Sequence, residues 1–349
     1  MRKLSGKLLY SPSDLIRYVA SPYSSWMDRY HLENPGTLTP DPETEDQKLI
    51  AETGNAHERS VLSELKVSEA GLVEIATDDY QAAVAATRTA ISEKAPIIFQ
   101  AVLASGEFAG FADFLMLQES GDYWVWDTKL ARSPKPYYAV QLCCYSEMLA
   151  AIDGCPMPEK FGIILGSNEK VEFRVEDFYH YYQRVKSGFL ALQDGFTGEM
   201  AECPEPHPRA DHGRWTSNAD AYFKDVDHLV QVAAISVGQI KKLKAAGVAT
   251  MANLATSSGA TVPKLAAESL EKLAAQARLQ CQTRDDRAAD PDALPRFELL
   301  PSEGENGEAI GLAALPPDHS ADVFFDIEGY PLVPGGLEYL LGVCVRTSD

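Results

Sequence analysis

Hydrophobic positions along the chain change period several times, and each change marks an element. Ser11-Pro-Ser-Asp14 has the form of a helix start: Ser11 can cap, Pro12 suits the first helical position, and Asp14 favours the positive end of the dipole. Asn34 to Glu45, rich in proline, threonine and acid, reads as a loop. Ile50, Gly54, His57, Val61 and Leu65 recur at intervals of four and three, which predicts a helix over Asp46 to Lys66 with those positions on one face. A second helix is expected over Asp79 to Lys94. A strand-rich block follows: Pro96 to Ser105, Phe108 to Gln118 and Tyr123 to Leu130 are short β-prone runs broken by Gly or Asp. Helical spacing returns in Tyr138, Gln141, Leu142, Tyr145, Met148, Leu149 and Ile152. Lys160 to Leu165 and Lys170 to Val175 read as strands around a Gly166-Ser-Asn168 turn, and Glu176 to Leu192 as a helix.

That order, helix, three strands, helix, strands, helix, predicts an α/β domain over residues 1–205. Pro204, Pro206 and Pro208 mark its end. Residues 206–282 read as a helical domain: Ser236-Val-Gly-Gln239 has the form of a capping box, its helix stopping at Gly247. Thr250 can cap a short helix ending near Gly259, and Pro263 to Gln280 is a third. Residues 283–320, beginning with the charged stretch Thr283 to Pro295, read as a linker. A new β pattern opens a last segment over 321–349.

Composition narrows the class. With 349 residues, 45% hydrophobic and 23% charged, the chain can hold two or three domains with packed cores. No apolar run reaches the ~18 residues of a transmembrane span, so no membrane partner is expected. Arg2, Lys3 and Lys7 are followed by no apolar stretch, so no signal peptide is expected either. The 6 cysteines form no regular framework, which suits a reducing cytoplasm. A net charge of −20 argues against tight non-specific binding of nucleic acid, because phosphate contact depends on basic surface. The same acidic balance is compatible with local DNA contacts and with carboxylates that hold metal.

Alternation places Val125, Asp127 and Lys129 on one face of one strand, so Asp127-Thr-Lys129 aims a carboxylate and an ammonium at the same place. Asp113 lies on the preceding strand within Gly110-Phe-Ala-Asp-Phe-Leu115. If the two strands pair, the carboxylates converge into a site for a hard cation, Mg2+ or Mn2+, and Lys129 can orient water or neutralise developing charge. His57, on the apolar face of an early helix, is a candidate further ligand. Glu58 is a weaker one, pointing about 100° away from it. Gln141 and Tyr145 sit one turn apart and can reach one site together.

Taken in order, Gly54-Asn-Ala-His57-Glu58, Gly110-Phe-Ala-Asp113, Trp126-Asp127-Thr-Lys129 and Gln141-Leu-Cys-Cys-Tyr145 resemble the RecB-like branch of the PD-(D/E)XK nucleases. The resemblance covers about Ser11 to Cys203. It implies a restriction-endonuclease-like core in which His57, Asp113 and Asp127 bind metal, Lys129 is catalytic, and Gln141 and Tyr145 shape the site. It also implies that the substrate is DNA, in repair or recombination. The later elements resemble large bacterial proteins that join such a nuclease to an RNase H-like exonuclease and often a helicase. Ala234 to Ala255 resembles their helix-hairpin-helix-like segment, with Lys241, Lys242 and Lys244 as candidate DNA contacts. Asp326 and Glu328, on one face of Asp322-Val-Phe-Phe-Asp-Ile-Glu328, resemble the first strand of the exonuclease, expected here to be truncated and without a catalytic role. The missing exonuclease and a helicase of the same protein are then expected partners.

One departure stands out. Relatives of this branch carry cysteines for an iron–sulfur cluster at places that match Ser21-Pro-Tyr23 and Arg209 to Trp215, which contain none, so no cluster is expected. Trp26 and Trp215 are expected to tie the two segments by packing instead. The leading expectation is a metal-dependent deoxyribonuclease. The alternatives are a catalytically silent nuclease fold that guides DNA and a protein-interaction scaffold.

Overall fold

The computed structural model describes residues 1–4, 6–299, 301–304, 306–330 and 337–345. Parts of the expected 321–349 segment, residues 331–336 and 346–349, lie outside the described residues. The chain divides into two compact units, Met1–Tyr222 and Phe223–Asp349.

The first unit is mixed α/β. A small hairpin, β1 (Arg2–Leu4) and β2 (Lys7–Leu9), precedes helices α1 (Pro12–Ala20), α2 (Pro22–Glu33) and α3 (Glu45–Ser68). Then come β3 (Val73–Glu74), α4 (Tyr80–Ser92), β4 (Ile97–Ser105), β5 (Phe108–Leu117), β6 (Tyr123–Lys129), α5 (Pro136–Ala150), β7 (Lys160–Leu165), β8 (Lys170–Arg174) and α6 (Val175–Asp194). The sheet has six strands in sequence order, β3 to β8, with β3/β4 and β6/β7 parallel and the other neighbours antiparallel. Parallel pairing of β6 with β7 needs a crossover, and α5 supplies it.

Alternation along the strands gives the sheet two apolar faces. Ile98, Leu115, Val125, Ile163 and Leu165 pack with Leu142, Tyr145 and Met148 of α5 in the main core. On the other face Ile97, Phe114, Trp126 and Ile164 pack with Val61, Leu62 and Leu65 of α3. Ile50 departs from the sequence reading: it is 51% exposed, off the face it was expected to share with Val61 and Leu65. With 24 residues, α3 is about 36 Å long and only its C-terminal half lies on the sheet.

In the second unit, α7 (Thr216–Asp225), which begins in the first, is followed by α8 (Val237–Ala245), α9 (Met251–Ala255) and α10 (Ala267–Ala289). The Ser236 capping box and the Thr250 cap both form. The linker expected from Thr283 is corrected at its start. Residues up to Ala289 continue the helix because they are helix formers, and it ends at Asp290, which precedes Pro291. Arg296 then folds back onto Asp286. Strands β9 (Val323–Tyr330) and β10 (Leu337–Val345) form an antiparallel hairpin whose Phe324, Phe325, Leu340 and Leu341 are exposed. No helix among the described residues is long and apolar enough to cross a membrane.

Candidate active site

The register of β5 with β6 pairs Leu115 with Val125 and Phe114 with Trp126, so the next opposed positions are Asp113 and Asp127. Like charges directly opposed on neighbouring strands destabilise a sheet unless something neutralises them. Thr128 partly answers this: its backbone N–H and its hydroxyl donate to Asp113 Oδ2 at 2.8 and 2.9 Å. Lys129 forms an ion pair with Asp127 Oδ2. That oxygen is buried, and the Lys129 ammonium is the cation against it.

Burial raises the Asp127 carboxyl far above the usual carboxylate range, the neighbouring Asp113 raises it further, and Lys129 offsets only part of this. Burial alone would weaken the Lys129 ammonium, but Asp127 and Asp113 outweigh it and hold the group protonated. A third carboxyl enters from α3. Glu58 accepts a hydrogen bond from Gln100 Nε2, and its pKa is raised by burial and then by Asp113. Gln100 sits in β4 with φ 55°, between the paired positions Phe99–Phe114 and Ala101–Ala112, which places it opposite Asp113. A non-glycine residue in the left-handed region inside a strand is a strained backbone of the kind found at functional sites.

Helix α5 closes the opposite side. The Tyr145 hydroxyl donates to the Phe111 carbonyl at 2.6 Å. Burial, Asp127 and Asp113 all raise its pKa, while a hydrogen bond with Gln141 lowers it. Gln141 and Tyr145 line a cavity of about 380 Å³ with Gly110, Phe111, Ser11 and Ser13.

The structure thus brings Asp113, Asp127 and Lys129 together and sets Tyr145 beside them. His57 is half-buried on α3, and its Nε2 is buried without a hydrogen-bond partner. Among the described residues no three His, Cys, Asp or Glu side chains stand close enough to hold a metal ion together. Glu58, ranked behind His57 on helical geometry, is the α3 residue in electrostatic reach of Asp113 and Lys129. Gln100 carried no signal in the sequence, because its part depends on a backbone irregularity.

Lys241, Lys242 and Lys244 lie exposed on α8 in the second unit, where Lys242 Nζ donates to the Lys264 carbonyl at 2.6 Å. Asp326 and Glu328 are exposed on β9. At the two cysteine-free segments, Ser21 Oγ and His212 Nδ1 are 2.9 Å apart and Ser24 Oγ donates to the His212 carbonyl at 2.8 Å. Trp215 Nε1 donates to Asp28 at 2.8 Å, and both Trp26 and Trp215 are buried.

No family model matches the chain, and no curated protein does. Among solved structures, one described as the crystal structure of SSO0001 covers 58% of this chain and 85% of its own, at 16% identity and a TM-score of 0.28. A likeness that slight carries no argument about function.

Proposed function

We propose that this chain is a metal-dependent nuclease that hydrolyses DNA phosphodiester bonds on a core of the PD-(D/E)XK type. The observation that carries the reading is a charge imbalance. Asp113 and Asp127 stand opposed beside the Lys129 ammonium, which offsets only part of their charge, Glu58 adds a third carboxyl within electrostatic reach of Asp113, and Asp127 is only 3% exposed. Buried carboxylates that one ammonium offsets only in part are costly, and a hard divalent cation with oxygen ligands is the natural complement.

Asp113 and Asp127 would hold Mg2+ or Mn2+ with water in the remaining positions; His57, the expected further ligand, forms no three-ligand group with them. When bound, the metal would lower the pKa of water and stabilise charge on the attacked phosphate. Thr128 holds Asp113 in place for that role. Lys129, kept protonated by its two aspartates, is placed to contact a phosphate oxygen as negative charge develops. Tyr145 packs against β5 and fixes the floor of the site. DNA as the polymer rests on the ordered motif resemblance, and Lys241, Lys242 and Lys244 are the phosphate contacts proposed for the second unit.

A second reading, a catalytically silent fold that guides DNA, is favoured by the lack of a ready three-ligand group among the described residues. The test is cleavage of end-labelled single- and double-stranded DNA with Mg2+ or Mn2+. Asp127→Asn and Lys129→Met, with circular dichroism unchanged, should each reduce the rate by roughly 100-fold or more. Activity equal to wild type in both variants overturns the site, and DNA binding without cleavage in any metal supports the silent reading.

A further inference from the structure

From the carboxylates, Lys129 leads outward to an aromatic edge. Its Nζ lies 5.4 Å from the centre of the Tyr138 ring. Tyr138 meets Tyr137 edge-on, with ring centres 4.7 Å apart and planes at 76°. Lys135 Nζ stands 6.0 Å from the Tyr137 ring. Tyr138 is buried, whereas Tyr137 is 36% exposed. Among the described aromatic side chains of the first unit, only Tyr137 and Tyr181 are exposed, and Tyr137 is the one linked to Lys129.

The surrounding sequence is unusual for this chain. No acidic residue occurs between Asp127 and Glu147, while Lys129, Arg132 and Lys135 fall within that stretch. In a protein of net charge −20, this is a segment where a polyanion meets little repulsion. Pro134 and Pro136 flank Lys135 and restrict the backbone, so less conformational freedom is lost when a ligand engages the loop.

An exposed ring beside lysines, adjoining a phosphate-handling group, has the chemistry that holds single-stranded nucleic acid: a base stacks on the ring and cations follow the backbone. A base within a duplex is stacked on both faces and cannot use such a ring without leaving the helix. We propose that Tyr137 and Lys135 form a stacking subsite for an unpaired nucleobase next to the phosphate at Lys129, which gives the site a preference for single-stranded DNA. The inference rests on the nuclease reading above and specifies its substrate.

The experiment measures binding separately from cleavage. An oligonucleotide carrying 2-aminopurine is titrated with the full chain in EDTA, as a single strand and as a duplex. The single strand should bind more tightly, with quenching of the probe. Tyr137→Ala should weaken single-strand binding about 10-fold and abolish the quenching, while leaving duplex binding and the circular dichroism spectrum unchanged. Tyr137→Phe should behave as wild type, and Lys135→Ala should weaken binding and lower its salt dependence. Single-strand affinity unchanged in Tyr137→Ala, equal losses for both DNAs, or no DNA binding by wild type would each overturn the subsite. Tyr137-dependent binding without cleavage in Mg2+ or Mn2+ would instead sink the nuclease reading and leave the subsite standing.

Discussion

The Tyr145 hydroxyl occupies the space that a side chain on Gly110 would need. A Cβ at Gly110 would lie 2.9 Å from that oxygen and 2.9 Å from Pro12 Cδ. Helices α1 and α5 therefore both approach β5 closely because position 110 has no side chain, and Tyr145 can bond the next carbonyl, Phe111. Gly110→Ala should overpack this point and cost about 1–3 kcal/mol, read as a lower urea midpoint. Tyr145→Phe in the same chain should recover part of the loss, since one clashing atom is gone while Pro12 remains. An unchanged midpoint in Gly110→Ala would refute the close approach.

Asp127 carries a pH signature. Its folded pKa is raised to about 7, whereas an unfolded aspartate titrates near ~3.9. Between those values the native state binds more protons than the unfolded state, so its stability falls as pH rises through the window and stays low above it. The metal-free protein should therefore be more stable at pH 5 than at pH 8 through this group. Asp127→Asn should remove that slope and raise the pH 8 melting temperature. Added Mg2+ should stabilise wild type at pH 8 and leave Asp127→Asn unaffected. A variant with the wild-type pH slope would rule out Asp127 as its source.

How much of this was legible in the sequence follows from the range of each interaction. The longer elements of the first unit were, since alternation in Tyr123 to Lys129 and helical spacing in Tyr138 to Ile152 are local signals of burial, whereas the β1–β2 hairpin, helix α2 and the two-residue strand β3 were not. Convergence of Asp113 with Asp127 needed one further inference, the pairing of neighbouring strands. A wheel drawn on α3 says nothing of the sheet beneath it, so the hydrogen bond of Glu58 with Gln100, whose left-handed backbone no residue pattern announces, was not legible. The run from Lys129 through Tyr138 to Tyr137 depends on side-chain packing at a strand end. The extension of α10 past Gln280 was missed because a charged stretch was read as a linker when its residues are also good helix formers.

His212 joins distant parts of the first unit through Ser21 and the Ser24 hydroxyl. Burial lowers its pKa, so the folded state resists protonation more than the unfolded state does. The sign is opposite to that of Asp127: below the unfolded histidine value, near ~6.5, the unfolded state binds the extra proton and stability falls with acid. His212→Gln should flatten the stability profile between about pH 7 and 5. Ser21→Ala should cost about 1 kcal/mol at pH 8 by leaving a buried ring nitrogen without its partner. Denaturant midpoints at both pH values check this, and a His212→Gln profile parallel to wild type would show that the ring is not the titrating group.

Gly162 controls the site from the opposite face of the sheet. It pairs with Trp126 across β6 and β7, and a Cβ there would fall 2.2 Å from Trp126 Cε3, inside the indole itself. The ring is 5% exposed and packs with Val61, Leu62 and Leu65, so it has little room to give way. Because successive residues on a strand face opposite ways, pushing Trp126 off Gly162 must rotate or shift the backbone that carries Asp127. Gly162→Ala is expected to destabilise the first unit by more than about 3 kcal/mol, beyond ordinary overpacking, because the obstacle is a rigid aromatic plane. Trp126→Leu should be tolerated better than its lost area suggests, since it also removes an indole N–H that is buried without a partner. Combined with Gly162→Ala, it should restore folding, because the branched side chain leaves the space above residue 162. Thermal melts of the two single variants and the double variant decide the matter. A double variant no more stable than Gly162→Ala alone would mean that the glycine serves the strand backbone and not the tryptophan.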